Sequence, residues 1–90
     1  MSVVTDKLVG ESTNVIVSRD DLVAFVRRLR CDLLENRDAW ENSTLDSYLE
    51  AMAAWIEDSD GYYRNMGQPV PQTPSWKTLA DILLAAKVYE

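Results

Sequence analysis

The sequence contains no histidine. This excludes an imidazole general base, a Ser–His or Cys–His nucleophile pair and a histidine-ligated metal. Cys31 is the single cysteine, so an internal disulfide cannot form and nothing indicates an oxidising compartment. Because most common hydrolase mechanisms need these groups, we expect a protein that is not an enzyme and holds no cofactor.

Long apolar runs are also missing. No window approaches the ~20 apolar residues that a membrane span requires. The first residues, MSVVTDKLVGES, lack the basic start and the apolar stretch of a signal peptide. We therefore expect a cytoplasmic protein that does not bind membranes.

Positive charge is scarce. Nine Lys and Arg residues stand against 15 Asp and Glu residues, for a net charge of −6. This field repels phosphate backbones, so we expect no nucleic-acid partner. The negative charge either serves solubility alone or favours the binding of a basic protein partner.

Hydrophobic periodicity predicts three helices in this chain of 90 residues, which is long enough for one small core. Ser18 and Asp21 resemble a capping box, and the apolar period that follows predicts a helix over Arg19–Glu35. Ser43 should begin a second helix that ends near Asp58, before Gly61.

The apolar face of that second helix should be a stripe of four residues: Leu45, Leu49, Met52 and Ile56. Thr73, with Pro74 at the first helical position, predicts a third helix. Its apolar residues cover more than half of its circumference, so it should lie between the other two.

These elements predict an all-α fold. We expect a compact three-helix bundle over residues 18–90, a partly ordered N-terminal arm over 1–17, and a long loop between helices 2 and 3. Loops of this length inside compact domains tend to be functional or disordered.

The loop offers the first candidates for partner binding: Tyr62, Tyr63, Arg64 and Asn65. Tyrosine and arginine are enriched at binding hot spots. Alternatively, the ring of Tyr62 or Tyr63 closes the open end of the bundle, and this interpretation is favoured for each tyrosine considered alone. Trp40, in the first connection, either closes the bundle or faces a partner.

An acidic edge on the second helix completes the candidate surface, with Asp46, Glu50 and Glu57 on one side. The leading hypothesis is a non-enzymatic protein-interaction module. An antitoxin-like or immunity-like protein that blocks a basic enzyme is one specific form. The third helix has surplus apolar surface, which a homodimer could bury, so both monomer and homodimer stay open.

The alternative hypothesis is a metal-responsive regulator that uses Glu57, Asp58 and Asp60. A calcium loop needs about six oxygen ligands at alternating positions, closed by a bidentate Glu. Only Asp58 and Asp60 alternate, so they are weak candidates and we expect no metal. A carboxylate pair of the glycosidase type is weaker still, because nothing promises the required cleft.

Three motifs resemble a bacterial domain family of unknown function: WEN-x-TL at Trp40–Leu45, AAWIEDSDGYYRN at Ala53–Asn65 and PSWKTLADILLAAKVYE at Pro74–Glu90. The similarity spans residues 18–90. It implies a small helical domain that often forms a whole protein, and it implies no activity and no catalytic residues. The one departure, Ser43 in place of an expected proline, bears on no functional residue.

Overall fold

Three α-helices make up most of residues 13–90, the part of the chain that the computed structural model describes. They are α1 (Arg19–Glu35), α2 (Leu45–Asn65) and α3 (Trp76–Ala86), with short 3-10 turns at Thr13–Val15 and Arg37–Ala39. No strand occurs within these residues, and none of their helices is long and apolar enough to cross a membrane. The all-α prediction is confirmed, while residues 1–12 of the predicted arm lie outside the described part.

Helix α1 has the predicted bounds because its two caps bond residues that are only three or four positions away in the sequence. The Ser18 hydroxyl accepts the backbone N–H of Asp21 at 3.1 Å, which satisfies one of the free donors of the first turn. The Asp21 carboxylate in turn accepts the N–H of Val17 at 3.1 Å. At the other end, Asn36 follows the last helical residue and donates its N–H to the carbonyl of Asp32 at 2.8 Å.

Helix α2 begins one residue later than predicted and extends well beyond the predicted end. Thr44, not Ser43, is the N-cap, and its side chain and that of Ser47 form a reciprocal capping box. The helix passes through Gly61 and stops before Gly67, whose φ of 68° only glycine adopts readily.

The prediction of an end near Asp58 was wrong because a helix tolerates one glycine at a cost of about 1 kcal/mol. Two aromatic rings beyond Gly61 offset that cost by packing on the ring of Trp55. The ring centroid of Tyr62 lies 5.3 Å from that of Trp55, and the centroid of Tyr63 lies 6.1 Å from it. The predicted long loop is therefore shorter and covers residues 66–75.

Helix α3 begins three residues after the predicted cap. Ser75 is the N-cap and accepts the N–H of Thr78 at 3.1 Å, so Thr73 and Pro74 belong to the preceding connection. As predicted, α3 lies between the other two helices and packs on both. Its contact with α1 contains the main core, formed by Ile16, Phe25, Leu29, Trp40 and Ala80.

Helix α2 is rotated about its axis relative to the prediction. Leu45, Leu49 and Ile56, expected in the core, are 72%, 52% and 48% exposed. The helix buries Ala51, Trp55 and Tyr63 instead. A buried aromatic ring removes more apolar area from water than a leucine does, so the rotation that encloses the rings is favoured.

A buried ion pair joins the last turn of α1 to Lys87, the residue that follows α3. Asp32 on α1 is fully buried, and its Oδ2 accepts bonds from Lys87 Nζ at 2.8 Å and from Trp40 Nε1 at 2.9 Å. The Lys87 ammonium also lies 5.6 Å from the ring centre of Trp40. The other oxygen, Asp32 Oδ1, accepts no hydrogen bond from the described residues. The Asp32 charge therefore depends on Lys87 and Trp40 for compensation.

Replacing Lys87 by methionine should destabilise the domain by roughly 3–5 kcal/mol, because it leaves the Asp32 charge buried and unpaired. Urea unfolding followed by circular dichroism measures the loss. The control is Arg64→Met, which removes an exposed pair with Asp60 and should cost about 0.5 kcal/mol or less. The double variant Asp32→Asn/Lys87→Met should recover most of the loss. Equal effects of Lys87→Met and Arg64→Met would contradict this account.

The two glycines of this region should respond in opposite directions to alanine. Gly61 lies inside α2 with no atom within 4 Å of an added Cβ, so Gly61→Ala should raise the free energy of unfolding by about 0.5–1 kcal/mol. Gly67→Ala should lower it by about 1–2 kcal/mol, because the residue has a positive φ. If Gly61→Ala were the more damaging of the two, α2 would end where the sequence suggested.

Candidate binding surface

An apolar groove runs over α3 between the facing sides of α1 and α2. It is an open space of about 320 Å³, with Arg30 and the polar residues 42–44 at its border. Most of its surface is apolar or aromatic and comes from all three helices: Val26, Leu29, Leu33, Leu45, Tyr48 and Leu83. Trp40 closes its floor near the buried Asp32. Because the groove presents apolar side chains and few polar groups, it is suited to binding an apolar surface of another molecule.

Exposed apolar side chains extend the groove along each helix. Helical spacing places Leu49 and Ile56 beyond Leu45 on α2, Val23 beside Val26 on α1, and Leu79 one turn before Leu83 on α3. We call the groove together with Val23, Leu49, Ile56 and Leu79 the apolar face. Contiguous exposed patches of this kind mark interaction sites in soluble proteins.

The predicted acidic edge lies beside this apolar face. Asp46, Glu50 and Glu57 are all exposed on the outer side of α2, and helical periodicity places them next to the row of Leu45, Leu49 and Ile56. None of the three carboxylates forms an ion pair within residues 13–90. The edge is thus free to pair with positive charge brought by another molecule.

The predicted aromatic surface does not form as one group. Tyr62 is 40% exposed and Arg64 and Asn65 are exposed, but all three lie in the last turns of α2 and not in a loop. Tyr63 and Trp40 are only 2% and 8% exposed. Their rings complete the core, so the alternative interpretation holds for these two, and Trp40 meets the groove only at its floor.

Tyr63 belongs to a polar cluster that sequence reasoning missed. Its hydroxyl donates to Asp81 Oδ2 at 2.6 Å, and Lys77 Nζ donates to the same oxygen at 2.8 Å. The hydroxyl of Thr13 donates to Asp81 Oδ1. The only sequence signal was the i, i+4 spacing of Lys77 and Asp81, typical of an exposed ion pair.

The Asp81 cluster borders an open cleft of about 490 Å³, whose aromatic walls include Trp55, Tyr62 and Tyr89. Both carboxylate oxygens of Asp81 already accept hydrogen bonds from the protein itself. The cluster therefore fixes the N-terminal turn and α2 to α3, and the carboxylate has little capacity left to act as a base toward a ligand.

The weak metal candidates are engaged elsewhere. Asp58 accepts a hydrogen bond from the Tyr89 hydroxyl, and Asp60 lies 4.0 Å from the Arg64 guanidinium. Among residues 13–90, no three Asp, Glu or Cys side chains come together as a possible metal site. The metal-responsive hypothesis stays a prediction that no contact among residues 13–90 favours.

The half-buried Tyr48 and the buried Tyr63 make the stability of the domain sensitive to alkaline pH. Burial raises the pKa of Tyr48 to about 12, and burial together with the hydrogen bond to Asp81 raises the pKa of Tyr63. Since both folded-state pKa values exceed the unfolded value near 10, the fold favours the neutral phenols. The stabilising contribution of each tyrosine is complete below about pH 10 and falls as the pH rises above it; for Tyr48 it is lost as the pH passes about 12.

We expect Tyr48→Phe and Tyr63→Phe each to reduce the fall in stability between pH 9 and pH 11, because phenylalanine has no proton to lose. Chemical unfolding across this range measures how the free energy of unfolding changes with pH. The free energies at pH 7 correct for the hydrogen bonds that each variant loses. Slopes that match the wild type in both variants would contradict the burial of these hydroxyl groups.

Comparison with known proteins gives a family and no function. No curated protein and no solved structure matches the chain. Residues 18–90 match a family of unknown function (DUF7660), in agreement with the resemblance carried by the three motifs. The chain therefore belongs to the DUF7660 family.

Proposed function

We propose that this protein is a non-enzymatic protein-interaction module that binds a protein partner through its apolar face. The observation that carries this proposal is the exposure of Leu45, Leu49 and Ile56 along one side of α2. Three large apolar side chains in a row on a helix surface cost solubility, and a bound partner would remove them from water.

The shape of the site supports a protein partner more than a small ligand. The groove is shallow and open, and its apolar walls continue onto three helices, whereas small-molecule sites enclose most of their ligand. A helix laid into such a groove would bury its own apolar stripe against residues from α1 and α2. The best complement is therefore an amphipathic helical surface.

The acidic edge specifies the charge of that partner. Asp46, Glu50 and Glu57 flank the apolar face without internal ion pairs, so a basic rim on the partner would complete the contact. Rim charges of this kind accelerate association and reject acidic surfaces more than they add affinity. An antitoxin-like or immunity-like role against a basic enzyme is one form that this chemistry allows.

The test is affinity capture from the host lysate with three immobilised proteins, each checked for folding by circular dichroism. The wild type should retain a stoichiometric protein that Leu45→Ser/Leu49→Ser does not. The control is Val88→Ser, which alters a residue exposed to a similar extent (50%) that lines the cleft on the other side of α3. It should retain the same protein as the wild type.

Retention of the same proteins by the wild type and by Leu45→Ser/Leu49→Ser would contradict the assignment of the apolar face. If the captured protein is another copy of this chain, the partner is the one argued below.

A further inference from the structure

The apolar face carries opposite charges on its two borders. Arg30 lines the groove, and Arg19 and Arg27 line a shallow cavity with Leu22, Val23 and Val26 on the same side of α1. Arg27 and Arg30 form no ion pair with residues 13–90. Within residues 13–90, Arg19 forms an ion pair only with Asp20, at 3.9 Å, and this contact is weak because both side chains are at least 80% exposed.

The basic border on α1 and the acidic border on α2 have matching lengths. Arg19 and Arg30 are eleven positions apart, as are Asp46 and Glu57, so each row spans about 16 Å at the helical rise of 1.5 Å per residue. When the rows run in opposite directions, the middle members also correspond, because Arg27 lies three residues from Arg30 and Glu50 lies four from Asp46.

The direction of the helices satisfies this condition. The C-terminal half of α1 and the first turn of α2 line the same groove. At the other end, the turn before α1 meets the end of α2, since Asn14 and Tyr63 line one cavity. Helices α1 and α2 are therefore antiparallel within the protomer.

We propose that a second copy of this chain occupies the apolar face, in a two-fold symmetric dimer that pairs α1 of each protomer with α2 of the other. This inference rests on the proposed function of the face. A two-fold axis lying in the plane of the face, along α3, carries α1 over the partner's α2 with antiparallel direction. Arg30 then pairs with Asp46, Arg27 with Glu50 and Arg19 with Glu57 across the interface.

The same axis stacks the exposed sides of the two α3 helices, so Leu79 and Leu83 of both protomers meet at the centre of the interface. This gives an apolar core with a charged rim, the usual anatomy of homodimer interfaces. Because the interface is isologous, each charge pair occurs twice, and one surface supplies both its basic and its acidic half. An unrelated partner would have to match both borders independently.

The test exploits this symmetry through charge reversal. Sedimentation equilibrium should show the wild type as a dimer, and Glu50→Arg and Arg27→Glu should each raise the dimer dissociation constant roughly tenfold or more, because each places like charges together twice. An equimolar mixture of the two variants should form a heterodimer with near wild-type affinity, since one of the two symmetry-related pairs is then the wild-type pair and the other is restored with its charges reversed. Asp38→Arg, a control on the Arg37–Ala39 turn, should leave the dimer unchanged.

A wild type that stays monomeric up to millimolar concentration overturns this inference. So does a dimer that neither reversal weakens, or a mixture that fails to associate when both single variants are weakened. A monomeric wild type does not touch the proposed function, which fails only if lysate capture is insensitive to Leu45→Ser/Leu49→Ser. The two failures are therefore distinguishable.

Discussion

The charge of Asp32 is the constraint on which the rest of the domain depends. A fully buried carboxylate is tolerated only with close partners, and here the partners come from the connection after α1 and from the end of α3. Once Lys87 and Trp40 are held on Asp32, α3 lies against α1. Asn42 then reinforces this arrangement by donating to the carbonyls of Ala86 and Tyr89 at 3.0 and 2.8 Å.

Because α3 already packs on α1, helix α2 can pack only on the remaining side of α3. Helix α2 has more apolar residues than this contact can bury. It buries Trp55 and Tyr63, whose hydroxyl reaches Asp81, and leaves its leucine and isoleucine row exposed. The hydrogen bond from Tyr63 to Asp81 and the large apolar area of the buried rings both stabilise this rotation of α2. The apolar face is therefore a direct consequence of how the core is filled.

The sequence predicts the helix bounds that are set by neighbouring residues. It does not predict features that depend on which side chains are buried against another helix. The caps at Ser18 and Asn36 set the bounds of α1 correctly. The sequence predicts a helix end before Gly61, because the low helix propensity of glycine carries no information about the aromatic rings that pack beyond it. Likewise, the periodicity of α2 fits two apolar faces, and only contact with α3 decides between them. The acidic edge lies on the predicted side of α2, but the burial of Asp32 and Asp81 gives no pattern in the sequence.

Whether the row of Leu45, Leu49 and Ile56 is exposed and then covered by a second copy can be measured by NMR, from the access of a soluble paramagnetic chelate to their methyl groups at rising protein concentration. We expect strong relaxation of these methyl signals in dilute protein and progressive protection as a second copy covers the face, with Val88 exposed throughout. Protection at every dilution would show that the row belongs to the core. Full access at every concentration would show that no second copy covers the face.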